Sequence, residues 1–179
     1  SNEFQHNFLK KTLIEKGGLE IVDGGFIDSS EKAKSAVEEP AARNGAECLM
    51  ILVPGWTFPV IGAIAAKTAA LHSIPVMLLG WSALSGPTAV KGALDEIGIK
   101  QKVVWIYGPP TDPKVLGEIV AFVRAASAIV KLRGMKFGAF GGPAMGMLTA
   151  SFDANQWLRL FSVEVEHVDQ VEIVRGAEK

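Results

Sequence analysis

Residues 48–53 read Cys48-Leu49-Met50-Ile51-Leu52-Val53, an apolar run with no polar interruption. A half-solvated strand alternates apolar and polar side chains, so an unbroken run of this length is expected of a central strand buried on both faces of a parallel sheet. It leaves through Pro54-Gly55-Trp56-Thr57-Phe58-Pro59 into a helical stretch over residues 60–72. The unit then recurs. Residues 74–79 (IPVMLL) leave through a Gly80-to-Gly86 loop ahead of a helix over 87–97. Residues 103–107 leave through Gly108-Pro109-Pro110-Thr111-Asp112 ahead of a long helix that Pro113 opens at its first position and that ends near Leu132. Strands separated by helices in this way imply right-handed crossovers and a parallel sheet with helices on both faces. The expected fold class is α/β, Rossmann-like or flavodoxin-like.

Working outward toward the start, Phe4, Phe8, Leu9 and Leu13 fall close to one face of a helix over residues 3–16, closed by Gly17-Gly18. Residues 19–22 read as a short strand. Ser29 or Ser30 caps a helix over 31–44, which Pro40 is expected to bend or break near its end. Toward the other end, residues 135–140 (MKFGAF) form a strand that runs into Gly141-Gly142-Pro143-Ala144-Met145-Gly146. Asp153 then caps a helix over 154–161, residues 163–168 (VEVEHV) alternate at the strand period of two, and 169–178 start another helix. The expected division is a first domain over 3–133 and the beginning of a second α/β unit over 134–179. The chain opens on a helix where such domains open on a strand, and it closes on a helix barely begun, so both ends read as those of a piece of a longer protein.

A hydrophobic content of 49% in 179 residues is ample for one packed core and part of a second. The formal charge of −1 and the dispersed basic residues leave no electrostatic footprint for nucleic acid or an anionic membrane surface, so neither partner is expected. No apolar run reaches the ~18 residues of a membrane helix, and the start is too polar for a secretory signal. The single cysteine, Cys48, lies inside the apolar run and reads as a buried small hydrophobe without a disulfide partner, which fits a cytoplasmic location.

The chemistry is sparse. After Gly146 a phosphate-binding loop would need Lys and then Ser or Thr, and the chain has Met147 and Leu148. Nor do Gly138, Gly141, Gly142 and Gly146 fall at the dinucleotide spacing. The strand exits instead offer Trp56, Phe58, Trp81, Tyr107 and Met145 among glycines and prolines, with almost no acids, bases or nucleophiles. That set suits holding a ligand more than reacting with it. An indole face on a glycine-flanked loop can cover the C–H face of a sugar while backbone groups bond its hydroxyls. The competing reading has Trp56 and Trp81 packed under their own loops, and Trp105 and Trp157 belong to core or interface. His6, His72 and His167 lack helical partners for a metal, and His167 points opposite to Glu166 along an alternating strand. Ser82 and Ser85 have no nucleophile-elbow setting, and Asp28 and Asp112 sit at helix starts as caps. No catalytic set and no metal set assembles locally.

Residues 136–178 carry a resemblance. Gly141-Gly142-Pro143-Ala144-Met145-Gly146-Met147, then Asp153, Asn155, Gln156 and Trp157, then Val163-Glu164-Val165-Glu166-His167-Val168-Asp169 resemble the stretch joining the first two amino-terminal domains of the L-fucose isomerase family. That family overlaps in fold with L-arabinose isomerases. The Pro54-Gly55-Trp56 exit and the strand over 74–79 with its glycine loop are compatible with the family's first domain. The resemblance implies a three-domain subunit of a homo-oligomer whose carboxylates and His bind a divalent metal, usually manganese, for aldose–ketose interconversion through an enediol. Those ligands belong to later parts of such chains, so no catalytic or metal-binding residue carries over. The resemblance implies a substrate lid and oligomerisation portion that is not catalytic by itself. What carries over is contact with an aldose or ketose sugar. Trp56 stands for the aromatic with which the first domain closes a neighbouring subunit's active site, and Met145 lies in the loop that faces the sugar. The family's amino-terminal strand, with an Arg near the substrate, has no counterpart here. The alternative is a stand-alone flavodoxin-like or periplasmic-binding-like small-sugar binding module, and the glycine spacing disfavours a nucleotide enzyme.

Overall fold

The computed structural model describes residues 2–43, 45–99, 103–142 and 151–178. Helices α1 (Asn2–Glu15) and α2 (Ser30–Arg43) precede β1 (Leu49–Val53), α3 (Pro59–Leu71), β2 (Val76–Gly80), α4 (Ser85–Glu96), β3 (Val103–Tyr107) and α5 (Pro113–Leu132). After these come β4 (Lys136–Phe140), α6 (Ala154–Phe161), β5 (Glu164–Val168) and α7 (Val171–Ala177). Two units, Ser1–Ser127 and Ala128–Lys179, divide inside α5.

In the first unit β1, β2 and β3 form a parallel sheet in that order, with Leu49 opposite Val76 and Val76 opposite Val103. Every residue of the central strand β2 is buried, which is why its sequence has no polar alternation. Its side chains still divide between the faces. Val76 and Leu78 join Ala33 and Val37 of α2, Ala63 and Ala66 of α3, and Val90 and Leu94 of α4. Met77 and Leu79 join Leu9 and Leu13 of α1 and Val115 and Ile119 of α5. The result is a mixed α/β fold, a small parallel sheet flanked by helices on both faces. Small side chains let the first face pack closely: a Cβ on Gly62 of α3 would lie 2.9 Å from Val90 Cγ1 of α4.

Residues 19–22 are not a strand. Leu19 and Ile21 are half-buried against the α1–α5 core while Glu20 and Val22 are exposed, so the alternation is real. No described strand pairs with them, however, and alternation reports only that one face is covered; ladder bonds are a separate requirement. Pro40 does not break α2, which runs on to Arg43. Ser29 is its cap, the hydroxyl oxygen accepting from the Lys32 N–H at 3.2 Å. Asp28 is no backbone cap; its carboxylate pairs with the Lys32 ammonium at 2.7 Å. Helix α4 starts at Ser85, ahead of Pro87, because proline is tolerated in a first turn where the N–H has no helical acceptor.

In the second unit β4 and β5 pair in parallel, Lys136 opposite Glu164 and Phe140 opposite Val168. Asp153 caps α6 as expected, accepting from the Asn155 and Gln156 N–H groups at 2.9 and 3.2 Å. Trp157 of α6 stacks on Phe137 with ring centroids 5.6 Å apart, and His167 stacks on Phe152 at 5.7 Å. Lys136 meets Glu164 and Glu166 at 3.4 and 3.8 Å, which places these charges opposite to Phe137 and His167 along the pleat.

Candidate functional site

Because β1, β2 and β3 are parallel, their exits emerge at one edge of the sheet, where α/β proteins bind ligands. Glycine makes this edge dense. A Cβ on Gly86 would fall 1.7 Å from the Gly55 carbonyl oxygen, so only glycine lets the start of α4 press against the β1 exit. A Cβ on Gly80 would meet Pro87 Cγ and Tyr107 Cδ2, both at 2.8 Å. The Ser82 hydroxyl donates to the Pro54 carbonyl, and the Gly108 N–H donates to the Gly80 carbonyl at 2.9 Å. The three exits are thus tied by backbone contacts.

Above this floor stand aromatic side chains. Trp56 and Phe58 of the β1 exit are 72% and 70% exposed, and Tyr107 at the end of β3 is 42% exposed. Trp81 differs. It is half-buried, its ring 5.9 Å from that of Phe8, so Trp81 packs against α1 and not under its own loop as expected, whereas Trp56 is open. Trp157 is half-buried and stacks within its unit, and Trp105 is half-buried with the Lys91 ammonium 4.2 Å above its ring. Met145 and its loop lie outside the described residues. Helices α3 and α4 both start at this edge, on Phe58 and Leu84, and neither cap side chain bonds their first-turn N–H groups. Asp112, in contrast, accepts from the Lys114 N–H at 2.8 Å and closes the start of α5. The edge therefore offers aromatic faces and backbone polar groups, while Ser82 is committed to Pro54. It can hold a ligand with apolar and hydroxyl surfaces; it has no evident acid–base pair.

A second constellation escaped the sequence. Asp23 accepts from the Lys10 ammonium at 3.0 Å and from the Gly25 N–H at 2.9 Å, and lies 3.0 Å from His6 Nε2. His6 also packs on Phe26, ring centroids 5.1 Å apart. Burial by itself would raise the Asp23 carboxyl, but the Gly25 N–H, the Lys10 ammonium and His6 outweigh it and hold the carboxyl below its ordinary range. The Asp23-Gly24-Gly25 turn was readable, since Asp accepts from the N–H two residues on. Its partners on α1 were not, being 13 and 17 residues away. Asp23 also borders a cavity of about 410 Å³ with Lys32, Ser35 and Glu39 of α2, and none of Trp56, Phe58 or Tyr107 lines it.

Cys48 is partly buried, and that burial, with Glu47 beside it, pushes its thiol up to about 11, the behaviour of a packing residue. Among the described residues no group of three His, Cys, Asp or Glu can hold a metal ion, and no helix is long and apolar enough to cross a membrane. Compared with known proteins, the chain matches no family model and no curated protein sequence.

Proposed function

We propose that this chain is the amino-terminal portion of a metal-dependent aldose–ketose sugar isomerase resembling L-fucose isomerase, in which it serves as substrate lid and oligomerisation surface. One observation carries the reading: Trp56 and Phe58 project from a glycine-tied exit of a parallel sheet as an open rim. A rim of that kind suits a surface that closes over a sugar held elsewhere. Its aromatic faces would cover the C–H side of the ring and leave the carbonyl chemistry to a metal site on other segments. On this reading the sheet is a Rossmann-like or flavodoxin-like first domain, and Lys136–Phe140 with Glu164–Val168 begins the second. Met145 keeps the sugar contact that the resemblance gives it, manganese belongs to the full-length enzyme, and the location is cytoplasmic.

The test is turnover and binding by the purified 179-residue chain with manganese. No conversion of L-fucose or L-arabinose to the ketose is expected, with millimolar-range sugar binding that Trp56→Ala weakens about tenfold, roughly one lost aromatic contact. Metal-dependent turnover would overturn the proposal. Tight binding by the chain alone, without turnover, would favour the stand-alone sugar-binding module.

A further inference from the structure

The Asp23 constellation ties α1 to the segment that follows it, and α1 in turn touches the strand exits. His6 and Lys10 are one helical turn apart, so both reach the same carboxylate from the same side of α1. Between them lies Phe8, whose ring meets Trp81, the first residue after β2. Leu9, next to Phe8, and Leu13, one turn farther along α1, are buried in the core with Met77, Leu79 and Ile106. Trp81 is followed by Ser82, whose hydroxyl holds the Pro54 carbonyl two residues before Trp56. Named contacts therefore run from Asp23 through α1 and Phe8 to Trp81, and from its neighbour Ser82 to the exit that bears Trp56.

The geometry points to Asp23 as a positioning residue: by clamping His6 and Lys10 it sets how the first turns of α1 seat Phe8 on Trp81, and so fixes the β2 exit next to the aromatic rim. The clamp stands on these contacts alone; its consequence for sugar binding rests on the reading proposed above. Leu13 anchors the later turns of α1 without Asp23, and Leu9 holds the inward side of the turn that bears Phe8, so loss of the clamp acts on how that turn seats Phe8 and not on whether α1 stays on the sheet.

Two-dimensional NMR of the full chain, read at the four tryptophan indole N–H groups, tests both parts. Asp23→Ala is expected to move the Trp81 resonance while those of Trp105 and Trp157 stay in place, a selectivity that general destabilisation would not give. Lys10→Met, which removes one arm and leaves His6 and Gly25, is expected to move Trp81 in the same direction by less. It also decides the matter if Asp23→Ala does not fold. A Trp81 resonance unchanged in Lys10→Met and in any folded Asp23→Ala overturns the clamp. Titration with L-fucose and L-arabinose is then expected to give responses at Trp56 and Trp81 that weaken about threefold to tenfold in the variants. Absence of any response in the unmodified chain overturns the sugar reading and leaves the Trp81 shift to decide the clamp. Full sugar affinity in a variant with a shifted Trp81 overturns the functional consequence.

Discussion

Asp23 shows how one carboxylate can act across 17 residues of sequence, the separation from His6. The groups facing it are His6 and Lys10 from α1 and the Gly25 N–H from its own turn, and together they hold its carboxyl below the ordinary value of 3.8. A group whose folded value lies below its unfolded one favours the fold above the unfolded value and loses that contribution as pH falls toward the folded one. The stability gap between the native chain and Asp23→Asn is therefore expected to be in full force near about pH 5 and to shrink as pH falls below 3.8. Urea midpoints across that range check it; a gap that stays flat to the acid transition would remove the charge from the account. Cys48 gives a second residue-level expectation. With its thiol at about 11, iodoacetamide should label it roughly a hundredfold more slowly at pH 8 than a free thiol, and denaturation should restore the ordinary rate. Fast labelling of the folded chain would contradict its burial.

At the scale of elements, α4 carries two glycines with opposite roles. A Cβ on Gly86 meets the Gly55 carbonyl oxygen at 1.7 Å, whereas one on Gly92 meets nothing within 4 Å. Gly86→Ala must push the helix start off the β1 exit, and about 1–3 kcal/mol of destabilisation is expected, as for overpacking elsewhere. Gly92→Ala should instead stabilise by about 0.5–1 kcal/mol, because alanine loses less backbone freedom on entering a helix. Thermal or urea unfolding of the two variants checks both signs. The helices themselves were largely legible: Asp153 before α6 and Pro113 opening α5 act where their chemistry says they should. Residues 19–22 were misread because Leu19 and Ile21 have a strand's alternation without a ladder partner among the described strands.

At the scale of the molecule, the two units differ in what protects their backbones. In the first, β2 is buried on both faces between two apolar clusters. In the second, β4 is largely exposed, and Val163 is the buried hydrophobic residue among those described. Local opening costs least where few apolar contacts must break. In hydrogen–deuterium exchange the amides of Val76–Gly80 are thus expected to be the slowest of the chain, and those of Lys136–Phe140 to exchange well before them. Equal protection of both strands would contradict that ordering.

By itself the sequence determined the α/β class of fold, because apolar runs each followed by a helix pair in a parallel sheet. Only Val76–Gly80, however, is the central strand buried on both faces. Leu49–Val53, expected to be central, is an edge strand of the described sheet, and Leu49–Leu52 are half-buried because β2 pairs with it on one side alone. The sequence also determined that aromatic and glycine residues gather at the strand exits, since order along the chain places them there. Only the tertiary structure decided that Trp56 is open while Trp81 lies against Phe8, because exposure depends on what the rest of the chain brings alongside. The same holds for Asp23, His6 and Lys10. A charge cluster built from a helix and a turn 13 and 17 residues away has no period or motif, and it exists only once the core has set α1 on the sheet.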